Sequence, residues 1–458
     1  MTRPARFTVP ASLLVLAACL AAPAPATPAK ETRPIRGRVD AYLAPVVALD
    51  IFQGTILLAR GDRILLEQGY GFANVEHSIP NSPRSVFRIA SLSKVATDVA
   101  LGTLVESGKI RLEDPLSRFL PEFPRGAEIT LDLLRNHRAG IPSLNSIPFD
   151  EEAHALNTLD SMVRVIAKHP LDFEPGARRS YSNGGYAVLA RVIEAASGMS
   201  YADYLRQAVF TPLGMTHTRH EADGDLVPNR ASGVMASQER RHGFVAPPFQ
   251  QMATKTGGGS LISTTGDLHR LLRAMYRDNV VRAGTWWTLF PRSDSTYSFQ
   301  GRCPGYNVYM VRDFAIDADV VMLANNYSCG MAGDIGNALL RIAAGEAASP
   351  PAWRADLPFD SVRCARYVGD YRAPAGQLPY GDGPFEVRWR NGGLVLSVEG
   401  APKDFLLPQP DGSFLLRNFW SEMRFPQDDE TPSPRATLRP LWFRGEGVAV
   451  ERVAARRE

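Results

Sequence analysis

The chain has 458 residues, 45% hydrophobic and 22% charged, with a formal net charge of +3. That length calls for two domains or more, and a near-neutral balance without Lys/Arg tracts gives no footing for a nucleic-acid partner. No apolar run beyond residue 26 is long enough to span a bilayer as a helix.

The first 26 residues read as an export signal. Arg3 and Arg6 open it, residues 7–20 are largely apolar, and Ala24-Pro25-Ala26 offers small residues for cleavage. Leu16-Ala17-Ala18-Cys19 supports a second reading, a lipobox with Cys19 as a lipidated mature N-terminus and the Pro/Ala stretch behind it as a tether over 27–36. Either reading sends the protein to the periplasm or cell envelope, where disulfides persist. The other cysteines are Cys303, Cys329 and Cys364.

Residues 36–47 then read as a lead-in helix. A hairpin follows over 53–69, turning at Gly61-Asp62. Next comes Ser91-Leu92-Ser93-Lys94, opening a helix whose apolar positions are Val95, Val99, Leu101, Leu104 and Val105 and whose stop is Gly108. Residues three apart share a helix face, so Ser91 and Lys94 point the same way. A serine hydroxyl needs a neighbouring base to become a nucleophile, and a lysine with a lowered pKa supplies one. Of the six lysines only Lys94 has a serine three residues before it. Taken alone, the pair also fits a capping serine and a solvated lysine.

Short helical elements are expected at 129–134 and 159–168, with a turn at His137-Arg138-Ala139-Gly140. Tyr181-Ser182-Asn183 stands on a loop before a helix that runs to Gly198. Extended residues two apart do not face one site by periodicity, so a turn has to bring Tyr181 and Asn183 round. Residues 201–209 read as helix, 220–256 as loop and 261–275 as an amphipathic helix. Strands at 306–311 and 320–324 turn near Ile316, and a helix covers 331–344. Cys303 and Cys329 lie equally far from residue 316, so a hairpin centred there would face them across the ladder and bond them, leaving Cys364 free. After a linker at 348–359, short alternating runs from residue 360 to 454, including 385–389, 394–398 and 441–443, describe a small antiparallel β-barrel or sandwich.

These boxes in this order resemble the serine β-lactamase/penicillin-binding-protein superfamily, in its class C-like branch of esterases, D-stereospecific peptidases, DD-carboxypeptidases and β-lactamases. The resemblance rests on Ser91-Leu92-Ser93-Lys94, Gly140-Ile141-Pro142, Tyr181-Ser182-Asn183, Pro212-Leu213-Gly214-Met215 and Gly258-Gly259-Ser260-Leu261. It implies an α+β fold: an antiparallel sheet flanked by helices with an all-helical lobe, over 37–347, followed by the appended barrel. It also implies an acyl-enzyme on Ser91, with Lys94 and Tyr181 sharing the proton traffic. Tyr181 would ionise more readily beside a charged Lys94. Asn183 would bind substrate and orient Lys94.

The resemblance departs at the third box, where the family carries Lys-Thr/Ser-Gly or His-x-Gly on the strand edging the site. The literal Lys255-Thr256-Gly257 comes too early and reads as a false positive; Phe299-Gln300-Gly301 is the positional match. Gly301 and Arg302 then join the candidate substrate-binding residues, with the Arg302 backbone N–H as an oxyanion donor beside that of Ser91. A phenyl ring at the first position cannot bind a carboxylate, so neutral acyl esters or amides are expected to turn over faster than β-lactams. The Arg302 side chain, on the opposite strand face, restores a carboxylate site only if a bulge turns it inward. No cofactor is called for. The eight histidines are scattered without His-Glu-x-x-His, and no Gly-x-Ser-x-Gly elbow occurs. The expected partner is a small-molecule or peptide substrate. The rival from another class is a penicillin-binding sensor that acylates once without turnover.

Overall fold

The computed structural model describes residues 34–143, 158–291, 295–374, 383–426, 435–441 and 447–453. The export signal, Cys19 and most of the tether lie outside them. Helix α1 (Ile35–Ala48) leads into the hairpin β1 (Gly54–Arg60) and β2 (Arg63–Tyr70). Helix α2, which follows Ser91, spans Ser93–Glu106, and α3 spans Asn183–Ser197. Later come β3 (Leu261–Ser263), α4 (Thr265–Ala274), β4 (Thr296–Cys303), β5 (Tyr306–Asp313), β6 (Ala318–Ala324) and α5 (Ala332–Ala343). The main sheet is antiparallel in the order β4-β5-β6-β1-β2.

Side chains alternate across a strand, and that alternation divides the core. Leu57 and Ala59 of β1, with Val321 and Leu323 of β6, pack toward α2, α3 and α4. Their neighbours Ile56, Leu58, Val320 and Met322 pack toward α1 and α5. The second cluster continues without a break into Val395, Phe405, Leu407, Leu415 and Trp420. These belong to a closed eight-stranded barrel of β7 (Gly369–Arg372), β8 (Phe385–Arg390), β9 (Gly393–Val398), β10 (Ala401–Pro408), β11 (Phe414–Leu416), β12 (Ser421–Arg424), β13 (Arg435–Pro440) and β14 (Val448–Val453). Its outer wall is therefore docked on the sheet domain. Its interior holds Tyr371, Phe385, Leu396, Leu406, Phe414 and Phe425, a size at which side chains fill the lumen.

Two expectations need correction. Residues 261–263 are strand, not helix: β3 pairs with Phe87-Arg88 and with Arg219-His220. The helix starts only after Thr264, whose side chain accepts from the Asp267 N–H, a capping interaction that fixes the start. Strand β4, expected from the resemblance at Phe299-Gln300-Gly301, spans Thr296–Cys303. The expected strand at 441–443 lies, but for Leu441, outside the described residues. Finally, Cys303 and Cys329 are free thiols, as is Cys364. Cys303 does not prolong β5. It ends β4 opposite Tyr306, across a turn at Pro304-Gly305. Burial pushes the Cys303 and Cys329 thiols up to about 12.

Candidate active site

Ser91 sits in a single 3-10 turn, Ala90–Leu92, ahead of α2. Ala90 has φ +45°, an unfavourable conformation for a residue with a Cβ, so the turn that presents Ser91 is strained. Strain of this sort clusters at functional sites. One helical turn further on, the Lys94 ammonium reaches back to the Ser91 Oγ at 3.2 Å.

Tyr181 and Asn183 converge on the same lysine because Ser182 is the N-cap of α3. Its hydroxyl accepts from the Gly185 N–H and donates to the Pro142 carbonyl. The cap places Tyr181 just outside the helix and Asn183 at its first residue. The Tyr181 hydroxyl lies 2.7 Å from the Ser91 Oγ. Lys94 donates to the Asn183 Oδ1 at 2.8 Å and to the Gly258 carbonyl at 2.7 Å. Gly258 is held by the turn above it, where the Gly258 and Gly259 N–H groups both donate to the Lys255 carbonyl.

Lys94 is 7% exposed. Burial lowers its pKa to about 7; Lys255 pushes the same way and the Asp98 carboxylate opposes. A neutral amine has two N–H donors and one lone pair. With Asn183 and Gly258 taking the two donors, the lone pair is left for the Ser91 hydroxyl. Tyr181 behaves differently from the expectation. Although 48% of its surface is exposed, burial holds its phenol above the usual value, against the Ser91 hydrogen bond and Arg179. A protonated Tyr181 beside a neutral Lys94 is the arrangement that these shifts favour.

The edge strand β4 closes the site. A Cβ on Gly301 would lie 2.4 Å from the Ile89 carbonyl and 3.0 Å from the Ser91 nitrogen; only glycine lets this strand approach the Ser91 turn. Phe299, two residues earlier, shares that face and packs edge-on against Phe290. The Arg302 guanidinium takes the opposite face, stacks 3.9 Å over Tyr327 and donates to the Asn418 carbonyl of the barrel at 3.1 Å.

Two cavities flank Ser91. The larger, about 790 Å³, includes Tyr181, Arg179, Phe290, Tyr297, Phe299 and the barrel's Trp420. The smaller, about 260 Å³, includes Asn183, Thr254, Lys255 and Gly258. Ser91 and Arg302 line both. Three residues at this site escaped the sequence reading. His137 lies beneath Tyr181 with ring centroids 4.5 Å apart; its Nδ1 accepts from the Ser182 N–H, and burial lowers its pKa to about 4. Lys255 was set aside on sequence order alone. Trp420 comes from a distant part of the chain and left no local signal. Among the described residues no cluster of metal-ligating side chains occurs.

The Beta-lactamase family model matches residues 39–344. A penicillin-binding protein of Bacillus subtilis is 28% identical over 416 residues, covering 82% of this chain and 90% of that protein. Teichoic acid D-alanine hydrolase of Staphylococcus aureus is 29% identical over 235 residues, covering 51% of this chain and 56% of that protein. Among solved structures, the octameric penicillin-binding protein homologue from Pyrococcus abyssi covers 91% of this chain and all of its own, with a TM-score of 0.58 at 20% identity. That likeness extends over both the sheet domain and the barrel.

Proposed function

The chain belongs to the β-lactamase family of serine hydrolases, and on that premise we propose that it is an exported enzyme forming an acyl-enzyme on Ser91 with esters or amides, as a carboxylesterase or a D-amino-acid-directed peptidase. The observation that carries this reading is the contact of one serine hydroxyl with both a buried lysine and a phenol. Neutral Lys94 takes the Ser91 proton as the Oγ attacks the carbonyl carbon. The oxyanion is received by the N–H groups of Ser91 and Arg302. As the tetrahedral adduct collapses, Tyr181 gives its proton to the leaving group and recovers one from the Lys94 ammonium. Water then attacks the acyl-enzyme along the reverse proton path and frees the acid. Export rests on the charged and apolar pattern of the first 20 residues.

DD-carboxypeptidase or β-lactamase activity is the second reading. The penicillin-binding relative favours it, while Phe299 facing the cleft and Arg302 turned to Tyr327 and Asn418 weigh against it. Mass spectrometry of the intact protein with a short-chain ester, a D-amino-acid amide and a penicillin tests both. The expected result is a transient adduct on Ser91 with the ester or amide and slow release of penicilloyl. Fast penicillin turnover would overturn the preference. An adduct that forms once and never leaves would favour a sensor.

A further inference from the structure

The two cavities beside Ser91 have different partners for the two halves of a substrate. Tyr181 and Arg179 line the large cavity and not the small one. The leaving group takes its proton from Tyr181, so it belongs in the large cavity. The acyl chain is then left with the small one. This assignment rests on the acyl-enzyme reading given above.

The small cavity has an unusual charge balance. Lys255 and Arg302 both line it, and no aspartate or glutamate does. The nearby Asp223 is committed elsewhere: its two carboxylate oxygens accept from the Met252 and Ala253 N–H groups. Among the described residues Arg302 donates only to backbone carbonyls. No carboxylate pairs with Lys255 among the described residues. The thiol of Cys303, also in the wall, stays protonated because burial raises it. Lys255 is itself half-buried, and burial lowers its pKa. A half-buried cation without an acid costs free energy unless something pairs with it. The other polar side chains in this wall, on Asn183, Gln250, Thr254, Thr256 and Tyr327, are neutral. The wall is also rigid on one side, because the Lys255 carbonyl anchors the turn that clamps Lys94.

We propose that the small cavity is the acyl subsite, and that Lys255, supported by Arg302, makes it a receptor for a short acyl chain ending in a carboxylate. The carboxylate is thus read on the acyl side of the scissile bond, where Lys255 stands.

The test uses the full-length protein and two 4-nitrophenyl esters of equal length, one of glutaric acid and one of its monomethyl ester, each corrected for spontaneous hydrolysis. The free acid is expected to show a kcat/KM ~10- to 100-fold higher, the range for a charge-assisted hydrogen bond. Added salt should reduce the ratio. Lys255→Gln should bring the ratio close to one, Lys255→Arg should keep it above one, and Lys255→Glu should reverse it. Equal kcat/KM for the two esters in the native protein, or a ratio that survives in Lys255→Gln, would overturn the inference while leaving the hydrolase reading intact. Failure of both esters to acylate Ser91 would overturn both.

Discussion

The assignment of Lys94 as the base predicts the pH dependence of acylation. Its ammonium must lose a proton before Ser91 can be activated, and its pKa is lowered to about 7, chiefly by burial. The acylation rate should rise tenfold per pH unit below that value and level off above it, so that at pH 5 roughly 1% of the plateau rate remains. Were Tyr181 the base, its raised phenol pKa would carry the rise beyond pH 9. Stopped-flow release of 4-nitrophenol from a short-chain ester between pH 5 and 10 measures this directly. Asp98 offers an internal control. Its carboxylate raises the Lys94 pKa, so Asp98→Asn should move the acid limb to lower pH while the amide keeps a partner for the Tyr186 hydroxyl. Stability should move with the same proton. Lys94 has a folded pKa below its unfolded value of 10.5, so the folded state resists protonation. The resulting cost, about 4–5 kcal/mol at 1.36 kcal/mol per unit, applies in full below pH 7 and fades as pH rises toward 10.5. The melting-temperature gain of Lys94→Met over the native protein should therefore be largest near pH 6 and shrink by pH 9. A plateau reached only above pH 9, or an acid limb unmoved in Asp98→Asn, would refute the reasoning.

Three other outcomes are expected. Ser91→Ala should fold and lose all labelling by a fluorophosphonate, as judged by gel fluorescence; surviving label would identify a different nucleophile, and Lys94→Arg should be as inactive because a guanidinium keeps its proton. Gly301→Ala should cost ~100-fold or more in kcat, the scale of losing an oxyanion donor, because its methyl group would press on Ile89 and the Ser91 nitrogen; a near-native kcat would show that β4 does not form the oxyanion site. Trp420→Ala should alter the ratio of kcat/KM between 2-naphthyl and 4-nitrophenyl esters of one acid and lower stability by ~3–5 kcal/mol, while Trp420→Phe preserves both.

The parts of this site that are local in sequence were legible. Ser91 and Lys94 are one helical turn apart, and their contact follows from helix geometry. The Tyr181–Asn183 pair was legible as a motif but not as a geometry, since it depends on Ser182 capping α3 and on the Pro142 carbonyl that holds the cap. Lys255 failed the reading for an instructive reason. Motif order placed it before the Gly-Gly-Ser stretch and away from the edge strand, which is correct, yet the turn at 255–259 folds back so that Gly258 grips Lys94. The cysteine pairing failed because a hairpin register extrapolates only while the strand continues, and Pro304-Gly305 ends it. Strand β3 failed because Leu261 and Ile262, just before a capped amphipathic helix, share its pattern until the Thr264 cap is recognised.

The contribution of Trp420 raises the question of how firmly the barrel is tied to the chemistry. The β11–β12 turn, residues 417–420, is the link. Arg417 is fully buried and donates to the carbonyls of Leu49, Ser237 and Arg240 in the sheet domain. On the barrel side, the buried Asp404 accepts from the Asn418 and Phe419 N–H groups, and burial raises its pKa to about 7. Asn418 then accepts from the Ser328 hydroxyl and, through its carbonyl, from Arg302. Trp420 ends the turn with φ +49°, a costly conformation for a large side chain, and its side chain covers Gly330, where a Cβ would meet it at 2.3 Å. Burying an arginine and an aspartate is costly unless they are paired, and Arg417 also lies 3.6 Å from the Asp50 carboxylate of the sheet domain. Arg302 carries this tie to the site. Its backbone follows Gly301 against the Ser91 turn, and its guanidinium is held by a barrel carbonyl, so one residue joins the barrel to the strand beside Ser91.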